Sequence, residues 1–145
     1  MSKHSYEVTA RSSAPPEQVF ALLADATSWT RWAGPVVAHA SWEREGDPAP
    51  GGIGAIRKVG RWPIFGHEQI VAYEPPTHHA YTMLKGNPVR NYRADVRLVP
   101  DGEGTRITWS ANFDPLVPGT GRLIAAFYRR LIGDMAKRVA AYAAT

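Results

Sequence analysis

The chain has 145 residues, with 17 Lys and Arg against 13 Asp and Glu, a formal net charge of +4, and no cysteine. This length fits one domain, residues 1–145, and a composition of 44% hydrophobic and 21% charged residues excludes a disordered or fibrous chain. Without cysteine there can be no disulfide, thiolate metal site or thiol nucleophile.

The charge pattern and the N-terminus limit the partners further. The basic residues are scattered and form no block, and no nucleic-acid-binding motif is present, so we expect no nucleic-acid partner. Residues 1–13 are polar, and no long apolar run follows them. We therefore expect a cytoplasmic protein without a secretion signal or a transmembrane segment.

The first third of the chain predicts one strand and two short helices. Residues 6–10 alternate apolar and polar side chains, as in a half-buried strand. The stretch Ser12–Glu17 is typical of a helix start, because serines can cap a helix and prolines fit its first turn. Asp25–Trp32 predicts a second short helix, with Trp29 and Trp32 on one side.

The rest of the chain predicts six strands and a long helix. Gly- and Pro-rich turns separate the strands, which indicates an antiparallel meander. The strands are Val36–Glu45, Ile53–Val59, His67–Tyr73, His78–Lys85, Arg90–Val99 and Thr105–Phe113. The helix runs to about Ala144, and its apolar residues recur every four positions, at Leu123, Phe127, Leu131, Met135 and Val139.

These elements predict an α+β fold in which a curved antiparallel sheet of about seven strands wraps around the C-terminal helix, with two short helices after the first strand. Such an arrangement closes a core at one end and can leave a cavity at the other. Strand parity selects the inward side chains. Those facing the helix are Glu68, Ile70, Ala72, His79, Tyr81, Met83, Tyr92, Ala94, Val96, Leu98, Ile107, Trp109, Ala111 and Phe113.

Glu68 is the most informative polar candidate. A carboxylate among apolar side chains would be desolvated and suited to proton transfer, with Tyr81 and Tyr92 as further weak candidates for catalysis. Alternatively, Glu68 lies at a solvated strand end or pairs with a buried arginine, and we favour these structural roles.

We expect no metal and no cofactor. His78 and His79 are the only close pair of histidines, and neighbours in a strand point to opposite sides. Ser12 and Ser13 are better explained as helix caps than as nucleophiles. Asp134 and Arg138, four residues apart, predict a local helix pair.

Several segments, taken together in this order, resemble the START-like (SRPBCC, helix-grip) superfamily in its polyketide cyclase/dehydrase and lipid-transport branch. They are Ala14–Phe20, Trp29 with Trp32, Tyr73–Pro76, Asn91–Tyr92, Gly104–Trp109 and the helix that follows Gly119 and Gly121. The resemblance covers nearly the whole chain and implies the helix-grip fold. It also implies cavity-lining positions at Trp29, Glu68, Ile70, Met83, Val96 and Trp109, several of them apolar where a cyclase tends to carry polar groups.

Three functions stay open. The first is binding of a small hydrophobic molecule, lipid-like, polyketide-like or aromatic, by Trp29, Glu68, Ile70, Tyr81, Met83, Tyr92, Val96, Trp109, Phe113, Phe127 and Leu131. The second is a cyclase/dehydratase-type enzyme using the same cavity. The third is an interaction or regulatory module whose exposed loop, Trp62–Phe65, contacts a protein or, transiently, a membrane surface. Either a monomer or a homodimer fits the sequence.

Overall fold

The computed structural model describes residues 4–145, which form one seven-stranded antiparallel sheet and three α-helices. The strands are β1 (His4–Ser12), β2 (His39–Arg44), β3 (Ile56–Arg61), β4 (Ile64–Glu74), β5 (His78–Lys85), β6 (Val89–Asp101) and β7 (Gly104–Pro115). The helices are α1 (Pro16–Ala24), α2 (Trp29–Trp32) and α3 (Gly121–Ala143), with a short 3-10 helix (Ala26–Ser28) before α2.

The sheet order is β1-β7-β6-β5-β4-β3-β2, so β2 to β7 form a continuous meander and β1 pairs beside β7. This matches the predicted α+β helix-grip arrangement. The strands begin and end within a few residues of the predicted bounds, except between β3 and β4. There the predicted loop of residues 60–66 is mostly strand, and only Trp62 and Pro63 connect the two.

Strand parity placed the inner face of the sheet correctly. Tyr92, Val96, Leu98 and Trp109 are buried, while Arg93, Arg97 and Arg106 on the same strands are exposed. The physical reason is that β6 and β7 each bury one face against a helix and leave the other in water. Apolar and polar residues therefore alternate cleanly along both strands.

The buried stripe of α3 differs from the predicted one. Leu123 and Phe127 are 75% and 62% exposed, whereas Tyr128, Ile132 and Met135 are buried. A step of four residues turns a helix by about 400°, so residues spaced strictly by four drift about 40° per step away from a fixed direction. The true stripe alternates steps of three and four and shifts to Ala125, Tyr128, Ile132, Met135 and Val139.

The serines before α1 do not cap it. The N-terminal cap is Pro15, with no side-chain hydrogen bond, and Ser13 is exposed. The buried Ser12 hydroxyl instead donates to the carbonyl of Ala140 at 2.7 Å and accepts from the backbone N–H of Ala14 at 3.1 Å. Ser12 thus joins the end of β1 to the C-terminal part of α3 and closes this end of the core.

His79 is buried in the core beneath α1. Its ring meets the edges of Phe20 and Tyr73, and its Nε2 has no hydrogen-bond partner among residues 4–145. Burial, followed by the positive charge of Arg57, lowers the pKa of His79 from 6.5 to about 3. The ring is therefore neutral in the folded protein at neutral pH.

We expect this neutral histidine to make the fold acid-sensitive. Below pH 6.5 the unfolded chain binds a proton at His79 that the folded protein does not bind until the pH falls to about 3. In that window the free energy of unfolding should fall by up to about 1.4 kcal/mol per pH unit from this group alone. Denaturant titrations from pH 7 to 4 should show a smaller loss for His79→Leu than for the wild type. The exposed His39→Leu is the control, and an unchanged slope in His79→Leu would contradict the prediction.

Candidate functional site

A cavity of about 1080 Å³ lies between α3 and the concave side of β3 to β6. This volume suits an organic molecule of the size of a typical small ligand. Its deeper wall is built by aromatic rings and aliphatic side chains with one carboxylate among them: Trp29, Val59, Glu68, Tyr81, Met83, Tyr92, Tyr128, Leu131, Ile132 and Met135.

Exposed apolar side chains surround the mouth of the cavity. Trp62 is 81% exposed, Ile64 and Phe127 are more than half exposed, and Val36 is 42% exposed. Phe65, predicted as part of an exposed loop, is instead half-buried against His39 and the ammonium group of Lys58. The mouth therefore consists of the β3–β4 turn, the segment before β2, the turn after β5 and the middle of α3.

One position of this rim, residue 86, requires glycine. Gly86 has a positive φ of 101°, and a Cβ at this position would overlap the carbonyl oxygen of Phe65. Only glycine therefore lets the turn after β5 lie directly against β4. The close approach brings Asn87 to the cavity wall.

A buried ion pair lies beside the cavity. Arg57 and Glu68 stand opposite each other on β3 and β4, and Arg57 Nε donates to Glu68 Oε1 at 2.8 Å. The arginine side chain is fully buried and the glutamate side chain is 8% exposed. Arg57 also donates through Nη1 to the carbonyl of Leu23 at 3.2 Å. Of the two structural roles considered for Glu68, pairing with a buried arginine is the one observed.

Three tyrosines that line the cavity, Tyr81, Tyr92 and Tyr128, and Tyr6 behind them are neutral hydrogen-bonding groups. Tyr6 and Tyr92 share a hydrogen bond between their hydroxyls, Trp109 Nε1 donates to the Tyr81 hydroxyl at 3.3 Å, and Tyr128 donates to Asn87 Oδ1 at 3.0 Å. Burial raises the pKa of all four tyrosines above 10, and the charge of Glu68 adds to this rise. They therefore keep their protons at neutral pH.

The structure separates the predicted binding residues into two groups. Seven of them line the cavity: Trp29, Glu68, Tyr81, Met83, Tyr92, Phe127 and Leu131. The other four, Ile70, Val96, Trp109 and Phe113, are fully buried in the packed core beside it. The parity rule treats all inward positions alike, so it does not separate those that pack against neighbouring side chains from those that border the cavity.

Four of the residues that sequence reasoning missed in this region make its polar contacts or support them. Arg57 alternates with the buried Ala55 and Val59, a pattern that could have marked it as inward-facing. Tyr128 could have been found from a helical stripe with mixed steps of three and four. Tyr6 lies on β1 and Asn87 in the turn after β5. No local sequence pattern indicates that either residue lies next to the cavity.

The structure also bears on three other features: the Asp134–Arg138 pair, metal ligation and membrane-spanning helices. Asp134 and Arg138 form the predicted exposed helix pair, with Nε to Oδ2 at 2.7 Å. Within residues 4–145, no three histidine, aspartate or glutamate side chains lie close enough together to hold a metal ion. In the same residues no helix is both long and apolar enough to cross a membrane.

Comparison with known proteins identifies the family. The family described as "Polyketide cyclase / dehydrase and lipid transport" matches residues 3–144. The chain belongs to this family. The polyketide cyclase/dehydrase and lipid-transport branch that the sequence resembles is therefore confirmed.

Relatives of this family member include a protein found in two mycobacteria. An uncharacterized protein of Mycobacterium tuberculosis and Mycobacterium bovis is 36% identical over 102 residues, which cover 66% of this chain. The match spans 56% of the length of those relatives.

Solved structures share the helix-grip fold at low sequence identity. The ZhuI aromatase/cyclase from Streptomyces sp. R1128 has a TM-score of 0.80 at 18% identity, covering 96% of this chain and 92% of that one. A START superfamily protein from Mycobacterium smegmatis has a TM-score of 0.74 at 13% identity, covering 92% of each chain. A protein from Thermobifida fusca has a TM-score of 0.72 at 24% identity, covering 93% and 92%. These likenesses concern the fold of this family member.

Proposed function

We propose that the protein binds a small hydrophobic molecule in the cavity between α3 and the sheet. The observation that carries this proposal is a cavity of about 1080 Å³, open at its mouth, whose wall is mainly aromatic and aliphatic. Binding there removes apolar ligand surface from water, and the rings of Trp29, Tyr81 and Tyr92 offer flat surfaces to an aromatic or polycyclic molecule. Lipid-like, polyketide-like and aromatic molecules all suit such a wall.

A bulky side chain at Leu131 should block the cavity. Leu131 is half-buried on α3 and lines the cavity, so Leu131→Trp places an indole where the ligand would lie. We expect this variant to bind the neutral fluorescent probe N-phenylnaphthylamine at least about tenfold more weakly than the wild type, as a filled cavity loses apolar contact area. Fluorescence titration measures the affinity.

Leu123→Trp is the matched control for that experiment. Leu123 lies two turns earlier on the same helix, is 75% exposed and does not line the cavity. It should bind the probe as the wild type does. Equal affinity of both variants and the wild type would place the probe elsewhere and overturn the proposal. Native mass spectrometry of freshly purified protein would identify any molecule that remains bound.

A second function, a cyclase/dehydratase-type reaction in the same cavity, is favoured by one observation: a carboxylate, Glu68, lies on the wall. Two observations weigh against it. Glu68 is paired with Arg57, and the raised pKa values of Tyr81 and Tyr92 are far from the neutral range in which proton transfer is most effective. A bound molecule that loses one water on incubation with the protein would support the enzyme, and an unchanged molecule supports binding alone.

The third function, an interaction module, would use the exposed Trp62 and Ile64. Both side chains lie on the rim of the cavity, so the same apolar surface can be explained by the passage of a hydrophobic ligand. We therefore place ligand binding first.

One substitution tests the interaction module. If the rim acts as a docking surface, replacing Trp62 with Ser should weaken the contact with a partner and leave the affinity for the probe unchanged.

A further inference from the structure

The positive charge of the buried ion pair is covered on the cavity side. The guanidinium carbon of Arg57 lies 4.2 Å from the ring centre of Trp29 and 4.7 Å from that of Tyr81. Both rings line the cavity, whereas Arg57 itself does not. Stacking on ring faces stabilises the cation without water. A ligand in the cavity therefore meets the two rings and not the guanidinium group.

The negative partner is arranged differently. Glu68 lines the cavity, and only its Oε1 is used by Arg57. Its other oxygen, Oε2, makes no hydrogen bond to any residue from 4 to 145. The other charged side chain of the wall, Arg61, lies exposed at the mouth and donates to the carbonyl of Pro35 at 2.7 Å. The interior of the cavity thus presents one charged group, a hydrogen-bond acceptor.

We propose that this acceptor selects the ligand, so that the cavity takes hydrophobic molecules carrying a hydroxyl, phenol or N–H donor and rejects those carrying a carboxylate. This inference rests on the proposed function and specifies its ligand class. A bound molecule displaces water from Glu68 Oε2, and a charged acceptor left without a donor is costly. A ligand hydroxyl replaces that hydrogen bond, an ether cannot, and a second carboxylate adds repulsion between like charges.

Three probes with the same ring system test the selection: naphthol, methoxynaphthalene and naphthoate. They present a donor, an acceptor only, and a negative charge at the same ring position. Isothermal titration of the wild-type protein should give naphthol an affinity on the order of tenfold or more above that of methoxynaphthalene, with naphthoate the weakest. Equal affinities for naphthol and methoxynaphthalene, or tightest binding of naphthoate, would overturn the inference.

Glu68→Gln should abolish the preference for a donor and the rejection of a carboxylate. The Arg57 guanidinium can only donate, so the glutamine carbonyl would turn towards it and the amide N–H group would take the place of Oε2. The cavity wall would then offer a donor and no negative charge. We expect the advantage of naphthol over methoxynaphthalene to disappear and the affinity for naphthoate to rise about tenfold or more. Glu45→Gln, in the exposed loop after β2, should keep the wild-type order.

The outcomes separate this inference from the proposed function. If all three probes bind the wild type equally and Leu131→Trp abolishes all three, the cavity binds hydrophobic molecules but Glu68 does not select them. If none of the probes binds, or if Leu131→Trp has no effect on them, the proposed function fails and the inference fails with it. The affinities of the three probes for the wild-type protein test the inference even if Glu68→Gln does not fold.

Discussion

Replacing Arg57 with Met should lower the free energy of unfolding by about 3–5 kcal/mol, the usual cost of removing one partner from a buried ion pair. Methionine fills much of the same space but donates no hydrogen bond. Glu68, with 8% of its side chain exposed, would lose both the opposite charge and the Nε donor at 2.8 Å. The stacking of the guanidinium between Trp29 and Tyr81 would be lost as well.

Urea unfolding followed by tryptophan fluorescence measures this effect, and two variants serve as controls. The double variant Arg57→Met with Glu68→Leu should recover at least half of the loss, because an apolar pair in this place leaves no charge unpaired. Arg138→Met removes an ion pair of similar length, 2.7 Å, between exposed side chains and should cost less than about 1 kcal/mol. Equal losses for Arg57→Met and Arg138→Met would contradict the stabilising role of the buried pair.

Replacing Trp109 with Ala should also cost about 3–5 kcal/mol, because truncation of a large buried side chain removes its burial energy and leaves a void. Trp109 is completely buried in β7, meets the ring of Trp29 at 6.2 Å between centres and donates to the Tyr81 hydroxyl. It supports two residues of the cavity wall from behind. Its contribution is thus to the stability of the wall, since it is not among the residues that line the cavity.

The matched control is Trp62→Ala, which truncates a tryptophan that is 81% exposed on the cavity rim. It should change the free energy of unfolding by less than about 0.5 kcal/mol, as exposed substitutions usually do. Trp109→Phe, which keeps most of the buried ring, should bind N-phenylnaphthylamine nearly as the wild type does. A strong loss of probe affinity in a well-folded Trp109→Phe would instead make Trp109 a direct ligand contact, as the sequence resemblance implies.

Most of the fold could be predicted from local patterns. Alternation along β6 and β7 identified their buried faces, and Gly- and Pro-rich turns marked the boundaries of a six-stranded meander, β2 to β7. The errors came from residues for which the local sequence is compatible with two different environments. Ser12 can cap a helix or bond across the core, and tertiary packing chose the carbonyl of Ala140. A leucine or phenylalanine on α3 can face inward or outward, and the exact rotation of the helix decided against Leu123 and Phe127.

The candidate site was predictable in part. Seven of the eleven predicted residues line the cavity, and parity correctly placed the four that lie on strands, Glu68, Tyr81, Met83 and Tyr92, on the concave side. Parity cannot tell which inward residues pack and which border empty space, because that depends on where α1 and α3 cover the sheet. Ile70, Val96, Trp109 and Phe113 all face inward, but they are packed among neighbouring side chains and do not line the cavity.

Side-chain periodicity alone, a local property of neighbouring residues, was enough to establish the type of fold and the sides of its strands that face inward. The pairing of Arg57 with Glu68 arises from the register of β3 against β4, and the cover over its cation comes from Trp29 in a separate helix. Both depend on distances between segments remote in the chain. A pattern within one segment contains no information about such distances, so the polarity of the cavity could emerge only once the whole chain was folded.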